Sequence, residues 1–236
     1  MNGCPRIENA GVGAWLVRLF DAIEDRNLPW IMALSRRCES AFGAALVDLV
    51  PSYTTLLVQY DPVCMQPEQA RERLIALLAD LEPEDMDTNE PVKELPVWYD
   101  PSVGPELPSV ASDKHMTVAE LIDRHTAPVY RVFALGFAPG FGFMGSVDPK
   151  LETARLASPR KRVCPGSVAI AGTQTSAYPT MSPGGWNLIG RTPTVLFDRN
   201  REPMSFLQVG DRVRMMPVSR EEFIRLGGDP SPQEES

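Results

Sequence analysis

Three loops that set glycine and proline beside aromatic residues carry most of the chemistry this sequence offers. The first is Gly136-Phe137-Ala138-Pro139-Gly140-Phe141-Gly142-Phe143. Its glycines allow close approach of a ligand or positive φ, its proline stiffens the turn, and its phenylalanines can wall an apolar pocket. The second, Gly172-Thr173-Gln174-Thr175-Ser176, followed by Tyr178-Pro179, sets one amide and three hydroxyls on a short segment. The third is Ser182-Pro183-Gly184-Gly185-Trp186, followed by Gly190-Arg191-Thr192-Pro193. Any one of them also reads as a tight barrel corner with aromatics plugging a core. Three within so short a stretch favour a pocket.

Ionisable candidates flank these loops. His125 ends a predicted helix just before the strand that feeds the first loop, where an imidazole can serve as general base or simply complement the helix dipole. Arg160, between Pro159 and Lys161, suits a carboxylate or phosphate, or belongs to a solvated basic run. Arg191 lies in a glycine- and proline-framed loop. Cys164 beside Pro165 reads as packing rather than as a nucleophile. No Walker A loop, dinucleotide fingerprint or G-x-S-x-G elbow is present. Four scattered cysteines without a CxxC pair and only two histidines give no metal site.

The elements that must position these residues change character along the chain. Ala14 to Leu19 predicts a strand, 28–44 a helix, 45–50 and 54–60 two strands, and 68–81 a helix with Leu74, Ile75, Leu77, Leu78 and Leu81 on one stripe. That order predicts an α+β N-terminal domain over 1–81. The acidic, proline-containing stretch 82–94 reads as a linker. From 95 to 226 short β-prone runs (96–99, 129–135, 167–171, 193–197, 211–216) alternate with Gly/Pro turns, which predicts an all-β sandwich or barrel. One helix interrupts it, with Thr117 and Glu120 as a capping box. Residues 227–236 read as a disordered tail.

Net charge is −8, yet residues 131–220 hold 12 Lys/Arg against 5 Asp/Glu. An acidic whole argues against non-specific nucleic-acid binding, and the basic segment suits a small anion or an acidic partner. No stretch approaches the roughly 20 apolar residues of a membrane span. Nor does the N-terminus carry a secretory pattern, so a cytoplasmic protein is expected.

The run HTAPVYRVFALGFAPGFGFMG…LASPRKRVCPGSVAIAGTQTSAYPTMSPGGWNLIGRTP, with VPSYTTLLVQYDP upstream, resembles the KipI/allophanate hydrolase subunit 1 family, which includes the B subunits of 5-oxoprolinases. The resemblance spans roughly residues 11–220. It implies a cyclophilin-like β-barrel as the C-terminal domain, a larger barrel subunit as partner and often a third protein. The implied activity is ATP-dependent opening of 5-oxoproline to glutamate, a small amide substrate, with ATP and Mg used by the complex and no metal or prosthetic group held by this chain alone. It further implies His125 and Gln174 as catalytic residues, Gln174 orienting the amide. Phe137, Gly140, Phe141, Gly184, Gly185 and Trp186 would shape the pocket, and Arg160 and Arg191 would hold anionic groups. Relatives also imply alternatives: inhibition of a sensor histidine kinase, or an allophanate- or urea-carboxylase-related role. Two departures, Phe143-Met144-Gly145-Ser146 and the Thr173 and Ser176 side chains, bear on the substrate more than on the fold.

Overall fold

The computed structural model describes residues 5–86 and 91–234. They fall into two compact units, Met1–Asn89 and Glu90–Ser236.

The first unit is built from β1 (Arg6–Asn9), β2 (Ala14–Arg18), α1 (Leu28–Phe42), β3 (Leu46–Pro51), β4 (Thr55–Tyr60) and α2 (Pro67–Ala79). Its antiparallel sheet runs β1-β2-β4-β3. Alternation on the strands sends Val17, Leu56, Val58 and Tyr60 to one face. There they meet Ile31, Leu34, Cys38 and Phe42 of α1 and Ala70 and Leu74 of α2, spaced by three or four residues along each helix. Pro67 starts α2, and Gln66 and Gln69 cap it reciprocally. Strand β1, short, polar and at the sheet edge, escapes a periodicity reading.

The second unit holds β5 (Val92–Val97), α3 (Leu107–Asp113), α4 (Val118–Thr126), β6 (Val129–Leu135), β7 (Gly142–Gly145), β8 (Arg160–Val163), β9 (Ser167–Ala171), β10 (Gln174–Ala177), β11 (Ser182–Gly184), β12 (Asn187–Arg191), β13 (Arg212–Pro217) and α5 (Arg220–Arg225). Seven strands form a mixed sheet ordered β12-β9-β10-β7-β6-β13-β5, in which β13 and β5 run parallel. The sheet nearly closes on itself. Trp98, just past β5, exchanges two hydrogen bonds of 2.9 Å with Arg191 at the end of β12. Every residue of β9 and of β12 is buried. Val168 and Ile170 face the main core, whereas Ala169 and Ala171 face a second cluster with Phe141, Tyr178 and Trp186. Two alanines there leave room for three large rings.

Several expectations are corrected. The second unit is not all-β: α3 and α5 join α4, with Pro108 in the first turn of α3. The run 193–197 is no strand; Thr192 turns the chain by accepting from the Thr194 amide, and only Phe197 bridges, to Ser205. Within the predicted linker, Val92 to Glu94 already pair with β13, and Glu84 pairs with Arg36; residues 87–90 lie outside the described residues. The predicted disordered tail is instead tied to the barrel through Asp229, Ser231 and Gln233, although most residues of 227–234 stay exposed. Gln233 is buried, accepting from the Cys164 amide at 3.0 Å and donating to the Arg162 carbonyl at 2.9 Å. Its polar composition hid a backbone-directed side chain that the barrel satisfies at both ends. Residues 235–236 lie outside the described residues. No helix among the described residues is long and apolar enough to cross a membrane.

Candidate active site

The first and third glycine-rich loops meet. The β6–β7 turn is held by the Gly136 amide donating to Phe141 and the Phe141 amide donating to Ala138. Gly140 sits at φ +84°. Phe137 is also left-handed, at φ +67°, a costly conformation for a bulky side chain, and it stands 61% exposed. Strand β11 pairs with β8, and the Leu156 amide donates to the Gly185 carbonyl, which draws Arg155 alongside Trp186.

The result is a cavity of about 190 Å³. Phe137, Phe141, Phe143, Tyr178 and Trp186 form its aromatic walls, Gly184 and Gly185 its glycine wall, and Arg155 is the cation at its edge. Phe141 is the hub, meeting Phe137, Phe143, Tyr178 and Trp186 edge-to-face with centroids 4.8–5.7 Å apart. Such pairs hold ring orientations beyond what area burial requires, each contributing about 0.5–1.5 kcal/mol. The Arg155 guanidinium lies 5.8 Å from the Trp186 ring centre, and its donors have no ion-pair partner among the described residues. Burial pushes the Tyr178 phenol up, opposed by a hydrogen bond with the Trp186 backbone and by Arg155 and Arg160, so Tyr178 stays protonated at neutral pH.

Gly184 is required by space. A Cβ there would stand 2.4 Å from the Tyr178 hydroxyl, whereas one at Gly185 would meet Pro159 at 3.4 Å, an ordinary contact. Gly184→Ala is therefore expected to displace Tyr178, to cost about 1–3 kcal/mol in thermal melting and to abolish ligand binding. Gly185→Ala should leave both within error.

Phe137, Phe141, Gly184, Gly185 and Trp186 line this cavity, Gly140 instead backs onto Leu196 and Phe197, and the other four candidates lie elsewhere. His125 is 0% exposed; one ring nitrogen is 2.7 Å from the Tyr99 hydroxyl and the other 2.8 Å from that of Thr175. Burial pushes its imidazole down to about 3. A neutral ring with both nitrogens engaged and no solvent contact is a core polar hub, which corrects its reading as general base. Gln174 opens β10 and Tyr178 follows its end, roughly 13 Å apart along an extended strand. Arg160 is paired with Glu106, whose other oxygen accepts from the Leu188 amide. Arg191 is 2% exposed and donates to the Asp229 and Ser231 carbonyls, clamping the tail. Neither arginine lines the cavity. Sequence reasoning missed Arg155 as its cation, which lies outside all three loops and is placed only by the 156–185 backbone contact.

The carboxyltransferase domain family, subdomain C and D, matches residues 5–207. The chain belongs to this family. Two similar proteins are named as the B subunit of 5-oxoprolinase. That of Bacillus subtilis (strain 168) is 33% identical over 228 residues, covering 92% of this chain and 95% of its own length. That of Haemophilus influenzae is 38% identical over 197 residues, 83% and 88% of the two chains. Among solved structures, TTHA0988 is 36% identical with a TM-score of 0.76 over 87% of this chain, which spans only 40% of that longer one. As a family member, the present chain carries its aromatic cavity inside the matched region.

Proposed function

We propose that this chain is the amide-recognising small subunit of an ATP-dependent 5-oxoprolinase, opening 5-oxoproline to glutamate together with a larger subunit. The observation that carries the reading is the cavity itself, joined to the names of the relatives. At about 190 Å³ it is smaller than the roughly 300 Å³ at which drug-sized pockets begin, and it suits a compact ligand. 5-Oxoproline is a five-membered lactam with one carboxylate. Its ring matches the aromatic lining of the cavity, and its carboxylate pairs with the Arg155 guanidinium at the edge. Tyr178 supplies a phenol able to donate to the lactam carbonyl.

The lining offers no group able to take a proton near neutral pH, and a single cation does not fit a nucleoside triphosphate, which needs several donors and Mg. This chain therefore binds and orients the amide, and we assign ATP, Mg and the proton acceptor to the partner. Co-expression with the larger subunit and assay of ATP-dependent glutamate release tests the reading. Turnover that requires both chains is the expected result. If the two form no complex, or form one that leaves 5-oxoproline intact in the presence of any third component, the reading fails.

A further inference from the structure

Outside the aromatic cavity, one buried group is left incomplete. Arg191 spends only one nitrogen, Nη1, on the tail carbonyls, at 2.9 and 2.6 Å. Its Nε and Nη2 are buried and have no hydrogen-bond partner. These two form the side-on edge of a guanidinium, the edge that grips two anionic oxygens at once. The Asp229 carboxylate acts on the guanidinium through space but bonds neither of these atoms, and leaving two buried donors unmet is costly, so a group able to complete this edge is expected beside it.

The backbone brings two side chains to that place. Cys164-Pro165-Gly166-Ser167 is a tight turn, closed by the Ser167 amide donating to the Cys164 carbonyl at 3.2 Å, with Gly166 at φ +79°. Strand pairing sets Ser167 directly across from Arg191. Ser167 is 0% exposed, and its hydroxyl is also buried without a partner. The same turn lies against the Arg191 side chain, a Cβ on Gly166 coming within 3.2 Å of its Cγ, and Cys164 is the side chain of that turn that acts on the guanidinium. As a thiol it offers only sulfur, a weak acceptor, to two strong donors.

We propose that Cys164 is a peroxide-oxidation site whose sulfinate oxygens are received by Nε and Nη2 of Arg191 and by the Ser167 hydroxyl. In the first step the Cys164 sulfur attacks one oxygen of hydrogen peroxide. An S–O bond forms, the O–O bond breaks, and the thiol proton leaves in the water released. A second peroxide repeats the step, giving a sulfinate, a second water and a proton. Sulfur loses two electrons each time and peroxide gains them. The product carries one negative charge and two oxygens, which matches the open edge in number and sign.

Cys164 is half-buried and within reach of solvent. The other described cysteines are poorer targets. Cys38 is fully buried, its thiol pushed up to about 12 by desolvation. Cys64 is exposed but faces the Asp61 carboxylate at 3.2 Å, which pushes its thiol up as well.

The test treats the intact chain with hydrogen peroxide under native conditions and follows each cysteine by peptide mass spectrometry and the whole chain by thermal melting. Cys164 is expected to gain one and then two oxygens about tenfold faster than Cys64, and the doubly oxidised chain to melt higher than the reduced one. Replacing Arg191 endangers the tail clamp, so Ser167→Ala carries the variant test: the second oxygen should be gained several-fold more slowly, at unchanged melting of the reduced chain. Oxidation of Cys164 no faster than that of Cys64, or an oxidised chain that melts lower, overturns the proposal.

Discussion

Arg155→Gln is expected to weaken 5-oxoproline binding by the assembled complex about tenfold to a hundredfold, seen as a raised KM with kcat little changed. The reason is that Arg155 is the cation on the cavity lining, and a charge-assisted hydrogen bond to a carboxylate contributes about 1.5–3 kcal/mol. Because the side chain is exposed, the substitution should alter stability by no more than about 0.5 kcal/mol. Arg155→Lys retains charge while losing the two-pronged grip and the stacking on Trp186, so it should fall between the two. Steady-state kinetics on the three complexes decide the matter. A fall confined to kcat would place Arg155 in the chemistry instead of in ground-state recognition, and unchanged kinetics would remove the carboxylate from this cavity.

The second large effect concerns His125. His125→Ala is expected to cost the second unit about 3–5 kcal/mol, because it opens a cavity and leaves the Tyr99 and Thr175 hydroxyls each short of a partner. In thermal melting that corresponds to a fall of roughly 10 °C. The pH dependence has a definite sign. The unfolded imidazole takes up a proton as pH falls through its ordinary value of about 6.5, whereas the folded one resists until about 3. The contribution is complete above 6.5 and is lost progressively as pH falls toward 3, reaching roughly 2 kcal/mol at pH 5. His125→Ala should flatten that part of the stability profile. If the variant melts normally and only turnover is lost, the imidazole has a chemical role that its burial argues against.

These two residues also mark what was legible in the sequence. The Thr117–Glu120 capping box and the β6 and β9 strands follow from local spacing and stand where spacing puts them; of the predicted α2 stripe, Leu74, Leu77 and Leu78 face the core, whereas Ile75 is exposed and Leu81 lies past the helix end. The Phe137–Phe141 and Gly184–Trp186 loops could be paired as pocket walls because each carries its own aromatics and glycines. His125, by contrast, looks like a base from its neighbours alone; its burial depends on Tyr99 and Thr175, remote in sequence and brought close only by the closing sheet. Arg191 looks like a loop cation until the tail folds over it. Arg155 gains its place through one backbone hydrogen bond from Leu156 to Gly185. Helices and turns are written in nearest neighbours, while ligand-facing charge here is decided by strand register.

The way the barrel is closed has a consequence for how the chain is made. Strand β5, the earliest of the seven to be synthesised, lies beside β13, the last, with Val92 paired to Arg212. Until Arg212 to Pro217 exist, β5 and β6 lack the strand that joins them, and their apolar residues have no complete core to enter. Such distant pairing is slow to form and leaves bare sheet edges during elongation. A product ended prematurely at any point before β13 would therefore carry an unclosed barrel to the proteases. The segment latched by Arg191 follows β13, so this unit is sealed only after every one of its strands has been made.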